Sequence, residues 1–562
     1  MKKLICVILA MLLLTACGAD PVAPKPVEVT AQIQGQEVTF QAWEGSGLPT
    51  DGSYYLTKDV EIAETVVVTG DLKLHLNGHM IVAAHDTVIT NMFSVPAGTT
   101  MAVYDEAVPE DLFSDYDPEE EENEVEIPGG AIVSSRSFSG KVTVANMFRV
   151  AGRLVIAGGH INASLINVED RANGLVAYIE EGGSLEMTGG VVTGGTTWSF
   201  APEIAPAETP APTTPATTPD ATTPTEPATT EPAPTETTAP VETTAPTVPP
   251  ETTPQPAGNE RYGYGGAFYV AKGASCTLSG GTIWKGSAYE GGNIFVAGDD
   301  ESAGTLTITD GYLLAGEATS AGGNVCVRGV LEMSGGTMDW GSSYCDGGNM
   351  FLSGKLNMTG GTLRGGACDA NTIGYKYGGN LAVDGLHASV KITNARILDG
   401  TAACKESHGG NISVIRYGAE EFEVGEGTYI YGGLGHRGGN VYIGHLKKDV
   451  PLENTDYVFT KVEMNGGNTT YRGANMCSDT KNAERPIQVT FNDCTMGVED
   501  ASERNLAIGA GGTDISQCII TINGGTFDGG EIHIYGSCQV TANGVKFINC
   551  PVGGTGIYTE NP

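Results

Sequence analysis

The chain reads as an all-β solenoid, a parallel β-helix of about 13 coils with one long Pro/Thr-rich loop inserted into it. Three observations carry that reading. Gly-Gly-Asn, or a variant of it, returns every 25 to 35 residues, with its third residue at Asn293, Asn324, Asn349, Asn380, Asn411 and Asn440. A second signal falls about midway in the unit, as Ser-Gly-Gly-Thr at 279–282 and 334–337 and Thr-Gly-Gly-Thr at 359–362. Before it stand short alternating runs such as Leu331-Glu332-Met333 and Leu356-Asn357-Met358. Alternation of period two marks half-buried strands, and runs this short between paired glycines exclude helices.

A unit of about 30 residues with three strands and three turns is one coil, and coils stack at the inter-strand spacing of roughly 4.8 Å. One coil cannot bury its inner face alone, so stability must come from stacking. Asparagines stacked in register at one turn can bond amide to amide. The column Asn293, Asn324, Asn349, Asn380, Asn411 and Asn440 is therefore expected to be structural. Degenerate copies continue the period at Ala267, Asn475, Asn505 and Glu531.

The coils resemble right-handed parallel β-helices of the pectin-lyase-like superfamily, most of all the Gly-rich repeats of bacterial surface proteins. Tyr55-Leu56-Thr57-Lys58-Asp59-Val60 followed by Leu74-His75-Leu76-Asn77-Gly78-His79-Met80-Ile81 resembles the first coil of that group. The resemblance covers roughly residues 50–200 and 258–550. It implies a fold far more than an activity, since this fold hosts lyases, hydrolases, adhesins and structural parts.

Residues 1–17 have the form of a signal sequence. Lys2 and Lys3 precede the apolar run Leu4–Leu14, which is too short to span a bilayer. The run ends Leu14-Thr15-Ala16-Cys17, which resembles a bacterial lipobox and implies lipidation at Cys17. The expected location is outside the cytoplasm, on the membrane or cell surface, held by the lipid. Residues 18–45, with Pro21, Pro24 and Pro26, are expected to be a short tether.

Residues 46–200 are read as the first coils. Asn91-Met92-Phe93 and Asn146-Met147-Phe148 echo Asn349-Met350-Phe351 but lie 55 residues apart. Between them the segment 105–126 holds 12 acidic and no basic residues, so it is read as a solvated loop inserted into one coil. It is also the one place where calcium is a candidate, although no Asp-x-Asp-x-Asp-Gly loop is present. Residues 201–257 contain 16 Pro and 18 Thr and no Gly, Lys or Arg. Such a segment builds no core. Removing its 57 residues from the 94 between Asn173 and Ala267 leaves 37, close to one coil. The segment is thus expected to be a loop extruded from one continuous helix, with the main coils at 258–562.

A net charge of −37 with 30 basic residues argues against a nucleic-acid partner. The ten cysteines beyond Cys6 and Cys17 are scattered, which fits buried thiols better than a disulfide scaffold; disulfides between neighbouring coils are the alternative. His75 and His79 flank a turn, and His408 and His436 precede successive Gly-Gly-Asn motifs at similar offsets and are candidates to stack.

Catalysis is not the leading expectation. Related hydrolases place acid and base carboxylates across a glycosidic bond, whereas Asn454-Thr455-Asp456, Asp299-Asp300 and Gly435-His436-Arg437 stand in the wrong order, coils apart. A lyase needs a Lys or Arg base of lowered pKa; Lys405, Arg416 and Arg437 are the candidates, on neighbouring coils. Aromatics suit a glycan better. Trp284, Tyr289, Trp340, Tyr344, Tyr375, Tyr377 and Tyr431, with Tyr471, fall between the mid-coil signal and the next Gly-Gly-Asn, and form a ligand face if that segment makes one turn. The sequence thus points to a surface-anchored binding or adhesin-like protein with a glycan or surface-protein partner. The alternatives are a polysaccharide lyase or hydrolase working near residues 400–440, and a passive rod. Carboxylates converging on Arg416 or Arg437 would favour the enzyme, and a flat aromatic face would favour binding.

Overall fold

The computed structural model describes residues 29–197 and 262–560, less the stretches 34–35, 85–88, 107, 110–111, 114–115, 117–124, 135–144, 165–172, 369–375, 403–406, 446–455, 481–486, 499–503, 510–517 and 551–556. The signal sequence, Cys17, the Pro/Thr-rich segment, Cys404, Lys405 and Tyr375 lie outside the described residues, as does most of the acidic segment.

The described chain is an all-β solenoid of stacked parallel sheets. Each coil begins with a strand such as Lys355–Met358, bends, and continues as a short strand such as Thr362–Arg364. The bend is the Ser/Thr-Gly-Gly-Thr signal, whose second glycine takes positive φ (Gly336 75°, Gly361 89°). These two strands repeat up the stack as parallel ladders of one 30-stranded sheet. The strand that opens at Gly-Gly-Asn, for example Met350–Leu352, builds a second, 15-stranded sheet. The apolar core lies between the two sheets. Leu331, Met333, Met338, Met350, Leu352, Leu356 and Met358 are all buried there.

The 15-stranded sheet gives more coils than the 13 counted from motifs, because its first members, Val66–Val67 among them, carry no Gly-Gly-Asn. Registers are tight: Val325, Met350, Leu381 and Ile412 stand one above another. A one-residue slip would turn every core side chain outward.

A third, 9-stranded sheet is not part of the core. Between the end of the bent strand and Gly-Gly-Asn, the chain leaves the coil, makes a narrow lobe and returns. Ser342–Ser343 and Ala367–Cys368 are outgoing limbs of such lobes. The neck is glycine-lined because nothing larger fits. A β-carbon on Gly341 would lie 2.4 Å from Gly348 O, and one on Gly348 would lie 2.2 Å from Ala367 N.

The asparagine amides close this neck. Asn324 Nδ2 donates to Asn349 Oδ1, and Asn349 Nδ2 donates to Asn380 Oδ1, both at 2.7 Å. The chain of amides runs unbroken from Asn293 through Asn411, Asn440 and Asn475 to Asn505. From Asn293 to Asn440 each amide does two further things. Asn349 Oδ1 accepts from Gly341 N (2.9 Å), and its Nδ2 donates to Arg364 O (2.7 Å). Two donors and two lone pairs are therefore all used. The backbone groups that lose their ladder partners where the lobe departs are satisfied in the same place.

One segment differs from expectation. Residues 29–43, assigned to the tether, form an antiparallel hairpin, Val29–Ile33 with Gln36–Trp43, and the second strand pairs with the first coil at Gly52–Leu56. Its alternation, as in Val38-Thr39-Phe40, is a strand signal that the nearby prolines masked; Phe40 is buried. At the other end the chain's own tail, Ile557–Glu560, is the last strand of the 15-stranded sheet. Across the Pro/Thr-rich segment the coils are continuous. Ala177–Ile179 pairs with Phe268–Val270, and Ser184–Met187 with Ser275–Leu278.

Two tests follow from this architecture. Asn349→Ala leaves Gly341 N without its partner and takes one of two hydrogen bonds from each of Asn324 Nδ2, Arg364 O and Asn380 Oδ1. At about 1–3 kcal/mol for the buried orphan and about 1 kcal/mol for each of the other lost hydrogen bonds, it should destabilise these coils by roughly 5 kcal/mol, read as lost hydrogen-exchange protection across residues 324–383. Asn357→Ala, which removes an exposed amide bonded to Glu332, should change stability by under about 0.5 kcal/mol. Replacing residues 201–257 with a short Gly/Ser linker should leave the far-ultraviolet circular dichroism unchanged and move Tm by less than about 2 °C, since loop length costs little.

Candidate functional site

The lobe packs against the outer face of the 15-stranded sheet along a corner that runs up the stack, here called the trough, and most of its floor is buried, Phe295 and Cys326 in one small cluster and Tyr377, Ala382, Tyr442 and Cys477 in another. Two residue positions line it. One is the outward residue two places after the motif asparagine. Through successive coils it is Tyr178, Tyr269, Phe295, Cys326, Phe351, Ala382, Ser413, Tyr442 and Cys477. The other is the residue just before the Gly-Gly pair, on the returning limb of the lobe. Here Tyr264 pairs with Glu290, Asp346 with Tyr377, Tyr377 with His408, His408 with Arg437 and Arg437 with Arg472.

The lower trough is aromatic. Tyr178 stacks on Tyr269 (4.8 Å between ring centroids), which stacks on Phe295 (5.4 Å). Arg149 covers one end of this row over Tyr178, and Arg328 lies over Phe295. Ring faces are used up within the stack, so the row offers its edges and tyrosine hydroxyls.

Higher up the trough is charged. Arg328 grips Glu290 with Nη2 (2.9 and 2.6 Å). Arg416 bridges two carboxylates, Asp384 through Nη1 and Asp346 through Nη2, each at 2.7 Å, and lies over the Tyr377 ring. Arg437 Nη1 donates to Asp479 Oδ2 (2.6 Å). Two carboxylates thus converge on Arg416, the arrangement that favours an enzyme, and a single one meets Arg437. Each is held in an ion pair. The side chains of Asp346 and Asp384 are 6% and 8% exposed, beneath an Arg416 that is 33% exposed.

The electrostatics follow from this burial. Asp346 is pushed up to about 6, mainly by burial, opposed by Arg416 and assisted by Asp384. Its Oδ1 has no hydrogen-bond partner among the described residues. Burial works against the charge of Arg416, but Asp346 and Asp384 outweigh it and raise its pKa; Arg437 is likewise raised. Neither guanidinium is tuned toward a base, contrary to the lyase requirement. His408 is pushed down to about 3, by burial first and then Arg437, so it is neutral at ordinary pH.

The aromatics chosen from sequence do not share one face. Trp284 and Tyr431 end bent strands and belong to one column, because Trp284 pairs with Leu314 and the same register leads through Asp339, Arg364 and Leu398 to Tyr431. Trp284 is buried, with the rings of Phe113 and Tyr116 from the acidic segment set edge-on against it. Trp340 occupies the turn that follows, at φ 55°, over Gly365 of the next coil. Tyr289 and Tyr344 stand on the outgoing limb of the lobe, the first half-buried and the second exposed. Tyr377 is buried in the trough. The segment between the two signals contains two turns and a strand, not one turn, which is why its aromatics scatter. His408 and His436 are also at different positions. His408 packs on Tyr442 (4.4 Å) and His436 on Tyr471 (5.0 Å). Asp299, His436 and Asp456 stand on a loop, a lobe and a core strand, so no hydrolase triad forms from them.

Among the described residues, no group of three or more His, Cys, Asp or Glu side chains is placed to hold a metal ion. Set beside known proteins, the chain matches no family model, no curated protein and no solved structure.

The trough carries a pH prediction. Asp346 binds its proton more tightly folded (about 6) than at its ordinary value of 3.8. The native coil is therefore favoured below pH 4, loses stability as pH rises from about 4 to 6, and is level above that. Two units correspond to on the order of 2–3 kcal/mol. Hydrogen exchange of residues 344–352, corrected for intrinsic rates, should show this loss in the native protein and not in Asp346→Asn.

Proposed function

We propose that this protein is a divergent relative of the pectin-lyase-like β-helices that works by binding, displayed outside the cell from a lipid on Cys17. Its ligand lies along the trough, parallel to the stack. The glycan or surface protein it takes would meet half-buried Tyr178 and Tyr269 in the lower coils and the partly exposed guanidiniums of Arg328, Arg416 and Arg437 in the upper ones. One observation carries the preference for binding. The carboxylates beside Arg328, Arg416 and Arg437 are held in ion pairs at 2.6–2.9 Å. A group fixed in this way orients a ligand well and transfers protons poorly.

A second reading rests on Asp346 and Asp384. Two carboxylates on one arginine, one of them raised to about 6, resemble the split acid and base of a glycoside hydrolase. Both readings meet in one experiment. The body, residues 18–562, which lacks Cys17, is probed on a glycan array with and without calcium, and the positive glycans are then incubated and assayed for new reducing ends. Binding without cleavage, weakened at least tenfold by Arg437→Ala combined with Tyr471→Ala, supports the binding reading. Cleavage abolished by Asp346→Asn replaces it with the hydrolase. Binding to no glycan removes carbohydrate and leaves a protein partner or a passive rod.

A further inference from the structure

The two ends of the stack are not equally well packed. Cys518–Asn523 alternates fully buried with half-buried residues, as strands do throughout the middle coils. The equivalent strand of the last coil, Gln539–Asn543, pairs with it in register, Ile519 with Gln539 through Asn523 with Asn543. Four of its five residues are exposed and the fifth is half-buried. This coil has a neighbour on one side only among the described residues. Stacking energy alone holds it weakly.

Cysteines stand opposite each other where these two coils meet. Cys518 opens the inner strand, and Cys538 immediately precedes Gln539, so the register that pairs Ile519 with Gln539 sets the two cysteines side by side. Cys518 N donates to Cys538 Sγ at 3.2 Å, and Ser478 Oγ lies 3.3 Å from Cys518 Sγ. The two thiols are within hydrogen-bond reach of one another. Neighbouring in-register residues of paired strands have Cα atoms about 4.8 Å apart, inside the span a disulfide accepts. Cys538 is half-buried and Cys518 fully buried, so a reagent meets Cys538 first. Among the described residues Cys276 and Cys326 have no such partner: Cys276 faces Leu185 and Leu306, and Cys326 faces Phe295 and Phe351.

We infer that Cys518 and Cys538 form a redox-active pair whose disulfide staples the last coil to the one beneath it. The oxidant is a disulfide donor, either a small one such as oxidised glutathione or a protein oxidoreductase of that chemistry. The Cys538 thiolate attacks the donor disulfide, forms a mixed disulfide and releases one thiolate. The Cys518 thiol then loses its proton and attacks the Cys538 sulfur, releasing the second. Two protein thiols are oxidised and one donor disulfide is reduced. Hydrogen bonding between the pair lowers the Cys538 thiol and raises Cys518, which suits attack from Cys538 and resolution by Cys518.

The test uses the full chain, reduced and then exposed to oxidised glutathione. The product is blocked by alkylation under denaturing conditions and mapped by mass spectrometry. The expected result is loss of two alkylatable thiols, a peptide linking Cys518 to Cys538, and hydrogen exchange across residues 519–543 slowed at least tenfold. In Cys518→Ser, the glutathione adduct should persist on Cys538. In Cys494→Ser, a buried cysteine outside the pair, the link should form as in the native chain. A link between Cys538 and a different cysteine overturns the inference. So does a stable glutathione adduct on Cys538 in the native chain, or failure to lose any thiol.

Discussion

The column of asparagine amides is the constraint on which the rest of the molecule depends. A parallel coil satisfies its backbone through its two neighbours, but the chain here leaves the coil at the same place in turn after turn to make a lobe. At each departure the peptide groups on both sides of the neck lose their ladder partners in a buried place. The amide supplies what is missing: an acceptor for the neck glycine, a donor for the carbonyl ending the bent strand, and a link to the same amide one coil on. Shape follows from this chemistry. The neck must be narrow enough for one side chain to reach both sides, so it is lined with glycine. The lobe then stands close against the outer face of the neighbouring sheet, and that approach makes the trough.

The repeat was highly legible because its physics is local. Paired glycines mark the bend and the neck in most coils, alternating residues mark strands, and Asn at fixed spacing marks a seam. The continuity of coils across 201–257 was readable by subtraction for the same reason: a segment that cannot build a core cannot contribute a strand. What failed was position within the coil. Aromatic residues between two signals do not share one turn: Trp284 ends a strand, Trp340 forms a turn and Tyr344 climbs a lobe. The trough itself was available in a different signal. The residue two after the motif asparagine points outward from every strand of the second sheet, and reading that offset gives Tyr269, Phe295, Phe351 and Tyr442 directly. The ion pairs were less accessible. Arg416 and Asp346 are 70 residues apart, and only the register of several stacked coils brings them together.

The trough also shows how charge is managed in a chain that carries a formal −37. Arginines are seated above carboxylates and over rings, as Arg416 is over Asp346, Asp384 and Tyr377. Their orientation is fixed from below and their outer edges are left to solvent. A guanidinium positioned in this way loses little freedom on meeting a ligand. The same seating ties the carboxylates into ion pairs that any proton transfer would have to break.

The seam makes molecular length a quantity that changes in whole steps. Asn324 donates to Asn349 with the geometry by which Asn349 donates to Asn380, at 2.7 Å in each case. Were one full repeat excised between equivalent glycines, the amide below would find an identical acceptor, and the sheets would rejoin in register. Duplication would be accommodated equally well. Gain or loss of a few residues is absorbed only in lobes and loops, and a break inside the Gly-Gly-Asn frame is not absorbed at all. The reach of the trough, and the number of contacts along it, is therefore set by how many times the unit has been copied, with each copy free to vary the residue it turns outward.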